Sequence, residues 1–233
     1  MRLNLKNVPG EKIIALILLL IFLGGGFHLV REIRQPPPFE AVKQGLAYTL
    51  QASSFSFELQ ASRILKGETM ILSEIQGQKA EEGVYVKGTL PLLNADLEIY
   101  YLGDQLYRRD TLTKDWVKIP AAGKIGVELL MAELNPLGVL EFLEEELAAK
   151  YAGKAKVGKK KCRVYEVMSR GENKFAEFFW QDFNYILWVD QKGKYIRQAQ
   201  ITAEHRDEPE HDLQILITLG DFNRSFVLEP PVK

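Results

Sequence analysis

SSFSFELQASRILKGETMILSEIQGQKAEEGVYVKG, residues 53–88, decides the fold. Phe55, Phe57, Leu59 and Ala61 alternate with Ser54, Ser56, Glu58 and Gln60, the period of two that marks a strand with one face in water. Lys66-Gly67-Glu68 then turns the chain into a second strand through Met70, Leu72 and Ile75. Glu81-Glu82-Gly83 turns it again, into Val84, Val86 and Gly88. Consecutive strands joined by turns this short form an antiparallel meander.

The pattern continues on the carboxyl-terminal side. After Pro91, Ala95, Leu97, Ile99 and Tyr101 alternate with Asp96, Glu98 and Tyr100, and Gly103-Asp104 is a hairpin signal leading to Leu106, Tyr107 and Arg108. Further strands are expected at 164–168, 175–180, 186–190, 195–203 and 213–219, the last with Leu213, Ile215, Ile217 and Leu219 on one apolar face. Helical spacing occurs in two places. Phe39, Val42, Leu46, Thr49 and Leu50 follow Pro38, which suits a helix start. Residues 123–150 return to that period with a break at Asn135-Pro136, where Asn135 caps a second helix carrying Val139, Leu140, Leu143 and Leu147 through to Lys150. Its acidic run Glu141, Glu144 and Glu145 reads as a solvated face.

On the amino-terminal side lies the apolar run IIALILLLIFLGGGFHLV, residues 13–30, behind the basic Arg2, Lys6 and Lys12. As a helix it rises ~27 Å, close to one hydrocarbon core. It reads as a signal anchor that leaves residues 1–12 as a cytoplasmic arm, or as a signal peptide cut near Gly24 and Gly26. Residues 31–38 end in Pro36-Pro37-Pro38, a stiff extended spacer. Residues 39–233 then form one domain on the extracytoplasmic side of a membrane, or free of it after cleavage.

The chemistry of catalysis is not evident in this sequence. Its 233 residues carry a net charge of −1, which argues against nucleic acid, and hold one cysteine, Cys162, so no disulfide framework exists. Cys162 reads as a strand-face thiol, and Lys159 to Lys161 as a solvated turn or edge. His205 and His211 flank an acidic turn broken by Pro209, which a charged hairpin tip explains better than a metal. No nucleophile-elbow, zinc-protease or phosphate-loop motif occurs, and neither a cofactor nor a metal is expected. The expected fold is α+β, mainly β: a strongly curved antiparallel sheet whose concave face exceeds what two helices cover. The remainder is a candidate apolar cavity lined by Phe55, Phe57, Leu59, Leu97, Ile99, Tyr101, Trp116, Leu140, Leu143 and Trp188.

An export segment, a helix and a four-strand meander are followed by YYLGDQLYRRDTLTKDWVKIP at 100–120 and NPLGVLEFLEE at 135–145. YILWVDQKGKYIRQAQI at 185–201 and ITLGDFN at 217–223 complete the series. This order resembles the LolA/LppX-like lipoprotein-carrier superfamily, with Trp116, Asn135-Pro136 and Trp188-Val189-Asp190 as its most specific points. The resemblance implies a half-barrel of about eleven strands over a hydrophobic cavity, without enzymatic activity, that binds lipid or the acyl chains of lipoproteins. Related domains also sense or regulate, as in the anti-sigma partner RseB, so an envelope-protein interaction module is the alternative. The chain lacks a lipid-attachment cysteine behind the apolar run, which favours a tethered binder over a diffusing carrier.

Overall fold

The structure, a computed structural model, describes residues 36–103, 105–119, 135–140, 147–168, 179–191 and 194–229. Residues 13–30 lie outside these, and among the described residues no helix is long and apolar enough to cross a membrane. By its contacts Pro38–Lys233 is a unit separate from Met1–Pro37.

Among the described residues, helix α1 (Pro38–Leu50) is followed by eleven strands: β1 (Phe55–Leu65), β2 (Glu68–Ala80), β3 (Gly83–Leu90), β4 (Ala95–Leu102), β5 (Gln105–Arg109), β6 (Trp116–Ile119), β7 (Ala148–Val157), β8 (Lys160–Met168), β9 (Trp180–Asp190), β10 (Ile196–His205) and β11 (His211–Gly220). They make a single antiparallel sheet in the order β6-β5-β4-β3-β2-β1-β11-β10-β9-β8-β7, open at both edges. The expected half-barrel and its meander are present. Lys66 and Gly67, both at positive φ, make the first turn, as the twist of a two-residue hairpin requires.

The second expected helix meets a correction. Asn135 Oδ1 accepts the Leu137 N–H (3.1 Å), and a single 3₁₀ turn follows at Gly138–Leu140. Residues 141–146 lie outside the described residues, but Ala148–Val157 is strand β7, so the helix does not run to Lys150. The reading failed because β7 has no large apolar face. It alternates Ala149, Gly153, Ala155 and Val157, half-buried, with exposed lysines, which suits an edge strand that must not pair further.

The helix buries Val42 and Thr49 of the expected stripe, but its closest contacts come from small residues beside them. Ala41, Val42, Gly45 and Thr49 are buried, whereas Leu46 is half-buried and Leu50 exposed. Small residues let α1 lie close on the sheet: a β-carbon on Gly45 would stand 3.2 Å from Val189. The helix rests on β7, β9 and β10. Thr49, fully buried, donates from Oγ1 to the Gly45 carbonyl (2.7 Å) and accepts the Ile196 N–H (2.9 Å), which fastens α1 to β10.

Candidate functional site

Residues directly opposite in an antiparallel pair share a face, so the register sorts the side chains. One continuous row crosses nine strands: Leu97, Gly88, Ile75, Leu59, Ile217, Ala199, Leu187, Tyr165 and Tyr151. This is the inner face, on which α1 lies and where the buried core is contiguous. Beside that row run Phe57, Gly77, Val86 and Ile99, and then Phe55, Lys79, Val84, Tyr101, Leu106 and Ile119. Gly77 is required there by contact, since a β-carbon would lie 2.4 Å from the Phe57 ring.

Burial along the row is uneven. Ile217, Ala199, Leu187 and Tyr165 are 0–2% exposed, under the half that α1 covers. Leu59, Ile75 and Leu97 are only half-buried, as are Val84, Tyr101, Ile119 and Ile215 beside them. An apolar strip over β1–β6 and β11 is therefore incompletely covered, next to Leu137 and Leu140 of the 3₁₀ turn segment, which are buried in the same core.

Of the residues expected to line a cavity, Phe55, Phe57 and Ile99 lie fully buried on the inner face, and Leu59, Leu97 and Tyr101 lie half-buried there. Leu140 joins the same core, and Leu143 is outside the described residues. Trp116 and Trp188 are on the other face. Trp188 pairs with Gln198 and Val164 between the inward Leu187 and Val189, and Trp116 packs edge-on against outward Tyr100 with ring centres 5.4 Å apart. Their aromatic character suggested burial, but strand parity decides direction. Ile75, Val84, Ile119 and Ile215 belong to the strip and were not singled out; each lies opposite a residue that was, or beside one on the same face.

The outer face is polar. Thr218, Glu58, Gln76, Lys87 and Glu98 form one row across it. Clefts of about 400 Å³, 640 Å³ and 370 Å³ lie along this face. Tyr85 donates to Glu98 (2.8 Å), and Arg109 donates to the same carboxylate (2.9 Å). Burial alone would push the Glu98 carboxyl up, but the hydrogen bonds from Arg109 and Tyr85, with the charges of Arg109 and Lys87, hold it below its ordinary value. The Tyr85 hydroxyl is pushed up, by burial first and then by Glu98. These are the signs of a structural ion-pair network.

Neither histidine stands free. His205 Nδ1 accepts the N–H groups of Asp207 and Glu208 (both 3.2 Å), while His211 packs against Arg63 and Glu208. Among the described residues no group of three His, Cys, Asp or Glu side chains could hold a metal ion. Cys162 is buried, and burial, followed by the nearby Asp190, pushes its thiol up and away from reactivity.

An open, eleven-stranded half-barrel with a helix on its apolar face defines the class by its fold, which is like that of lipoproteins LppX and LprF. Among solved structures it is similar to lipoprotein LppX of Mycobacterium tuberculosis, at 12% identity and a TM-score of 0.54 over 82% of this chain and 97% of that one. LprF of Mycobacterium bovis is similar at 11% identity and a TM-score of 0.53, over 84% and 98%. A LolA superfamily protein of Nitrosomonas europaea aligns at 10% identity and a TM-score of 0.33, over 83% and 96%. No family model matches the chain, and no curated protein matches it.

Proposed function

We propose that this domain binds a lipid or another ligand bearing an acyl chain on its inner face, as a non-enzymatic, carrier-like module outside the cytoplasm, tethered through residues 13–30. The half-open apolar strip of Leu59, Ile75, Val84, Leu97, Tyr101 and Ile119 carries this reading. Apolar surface left part-exposed beside a filled core gains from an apolar partner, and each methylene buried contributes ~0.8 kcal/mol. About ten methylenes give a gross ~8 kcal/mol, enough to leave net affinity after the cost of ordering the chain. The similarity to lipoprotein LppX supports the same reading, since the fold is shared over nearly all of that protein. The apolar run at 13–30 and the spacer behind it would confine exchange to a membrane surface.

Native mass spectrometry of Pro38–Lys233 purified under mild conditions is the test. The expected result is a bound lipid mass, or, after delipidation, saturable uptake of a fluorescent fatty-acid probe. A domain that carries no lipid and takes up no probe overturns the proposal and points to a half-barrel filled by its own side chains.

A further inference from the structure

The β7–β8 hairpin contains no acid from Leu147 to Tyr165, and it carries Lys154, Lys156, Lys159, Lys160, Lys161 and Arg163 towards its tip. The register sets Lys154 opposite Arg163 and Lys156 opposite Lys161. Two like-charged cross-strand pairs therefore sit side by side on one face, with β-carbons ~5 Å apart within each pair, an arrangement that destabilises a sheet. Lys159 and Lys160 add charge at the turn. Among the described residues these six cations have no ion pair, and the Arg163 Nε is buried without a hydrogen-bond partner. Several cations elsewhere are ion-paired: Arg63 with Glu208, Arg109 with Glu98, Lys114 with Asp96 and Arg197 with Asp190. On this hairpin the one ion pair is Lys150 with Glu166, at the far end and at 3.9 Å.

Edge protection accounts for part of this charge and not for the rest. Lysines on β7 guard an outer strand, but Lys161 and Arg163 are on β8, which is paired on both sides, and Lys159 is in the turn. We propose that the β7–β8 hairpin is an electrostatic docking surface for an anionic bilayer. The five lysines are exposed and spread over both sides of the hairpin and its turn, which fits a surface of many diffuse charges better than one small anion. Helix α1 packs against β7, the strand bearing Lys154 and Lys156. The inference rests on the membrane setting of the proposed function but not on ligand binding in the half-barrel.

Sedimentation of Pro38–Lys233 with vesicles tests it, since that unit contains the whole described core. Vesicles of phosphatidylcholine with about one third phosphatidylglycerol should retain the protein, and pure phosphatidylcholine should not, with retention falling steeply as salt is raised. The triple reversal Lys159→Glu/Lys160→Glu/Lys161→Glu should lower the bound-to-free ratio at least ~tenfold. Lys66→Glu/Lys87→Glu/Lys118→Glu, with the same net charge, should retain most of the binding. Near-ultraviolet circular dichroism and fatty-acid probe uptake should be unchanged in the hairpin variant. Equal retention by neutral vesicles, equal loss in both triple variants, or displacement of the vesicles by a short DNA duplex at matched phosphate overturns the assignment. Probe uptake without vesicle retention would sink this inference alone; vesicle retention without probe uptake would sink the half-barrel reading alone.

Discussion

Thr49 uses one hydroxyl twice, as donor to Gly45 and as acceptor for Ile196. Thr49→Val keeps the shape and leaves the buried Ile196 N–H without its partner, at a cost of about 1–3 kcal/mol in urea unfolding, and Thr49→Ser should recover most of it. Gly77 has a different kind of necessity. Gly77→Ala sets a methyl group 2.4 Å from the Phe57 ring and 2.6 Å from the Tyr85 carbonyl oxygen, so the expected loss is about 1–3 kcal/mol. Glu98 supplies a pH signature. Its carboxyl is held below its ordinary value in the fold, so its contribution is complete above the unfolded value and fades as pH falls through the folded one. Wild type should therefore exceed Glu98→Gln in urea midpoint at neutral pH, and the gap should close as the pH is taken below the ordinary carboxylate range, ~4.

At the scale of elements, the meander was legible in the sequence because its strands have one wet and one apolar face, and period two is unambiguous there. Strand β7 was not, because its half-buried positions are mostly Ala and Gly and its character is set by the lysines of an edge. The helix α1 was legible as a helix and in Val42 and Thr49 of its buried stripe, but not in Ala41 and Gly45. Large apolar residues announce a face, whereas Gly45 and Ala41 make theirs by close approach, which only the partner strand reveals. The same limit applied to the candidate site. Alternation puts Phe55, Phe57, Leu59, Leu97, Ile99 and Tyr101 on one face, as in the structure, while Trp116 and Trp188, expected beside them, point the other way. If the open strip is the binding surface, Leu59→Ser with Leu97→Ser should weaken fatty-acid probe binding at least ~tenfold, because roughly six carbons of apolar contact are lost. Trp188→Phe should leave it within about twofold, since that ring is on the opposite face.

For the molecule as a whole, ten strand pairings hold the sheet together, and nine of them join neighbours in the chain. The tenth is β1 with β11, where Ser56 meets Gly220 across roughly 160 residues. Two meanders can thus each assemble from local turns, but the half-barrel exists only once that central seam closes. Loop closure makes the seam about 3 kcal/mol costlier than a tight hairpin, so its formation sets the pace of folding. A circular permutant of the domain, opened at Pro120 and joined from Glu229 to Pro38 by a short flexible linker, would shorten the closure to roughly 35 residues and should fold close to tenfold faster in stopped-flow measurements. An unchanged rate would place the barrier elsewhere. The seam has a further meaning for how this architecture tolerates change: each wing can gain, lose or lengthen a hairpin at its outer edge without disturbing the other, whereas a lesion along Phe57–Leu219 or Leu59–Ile217 separates the two halves of the protein.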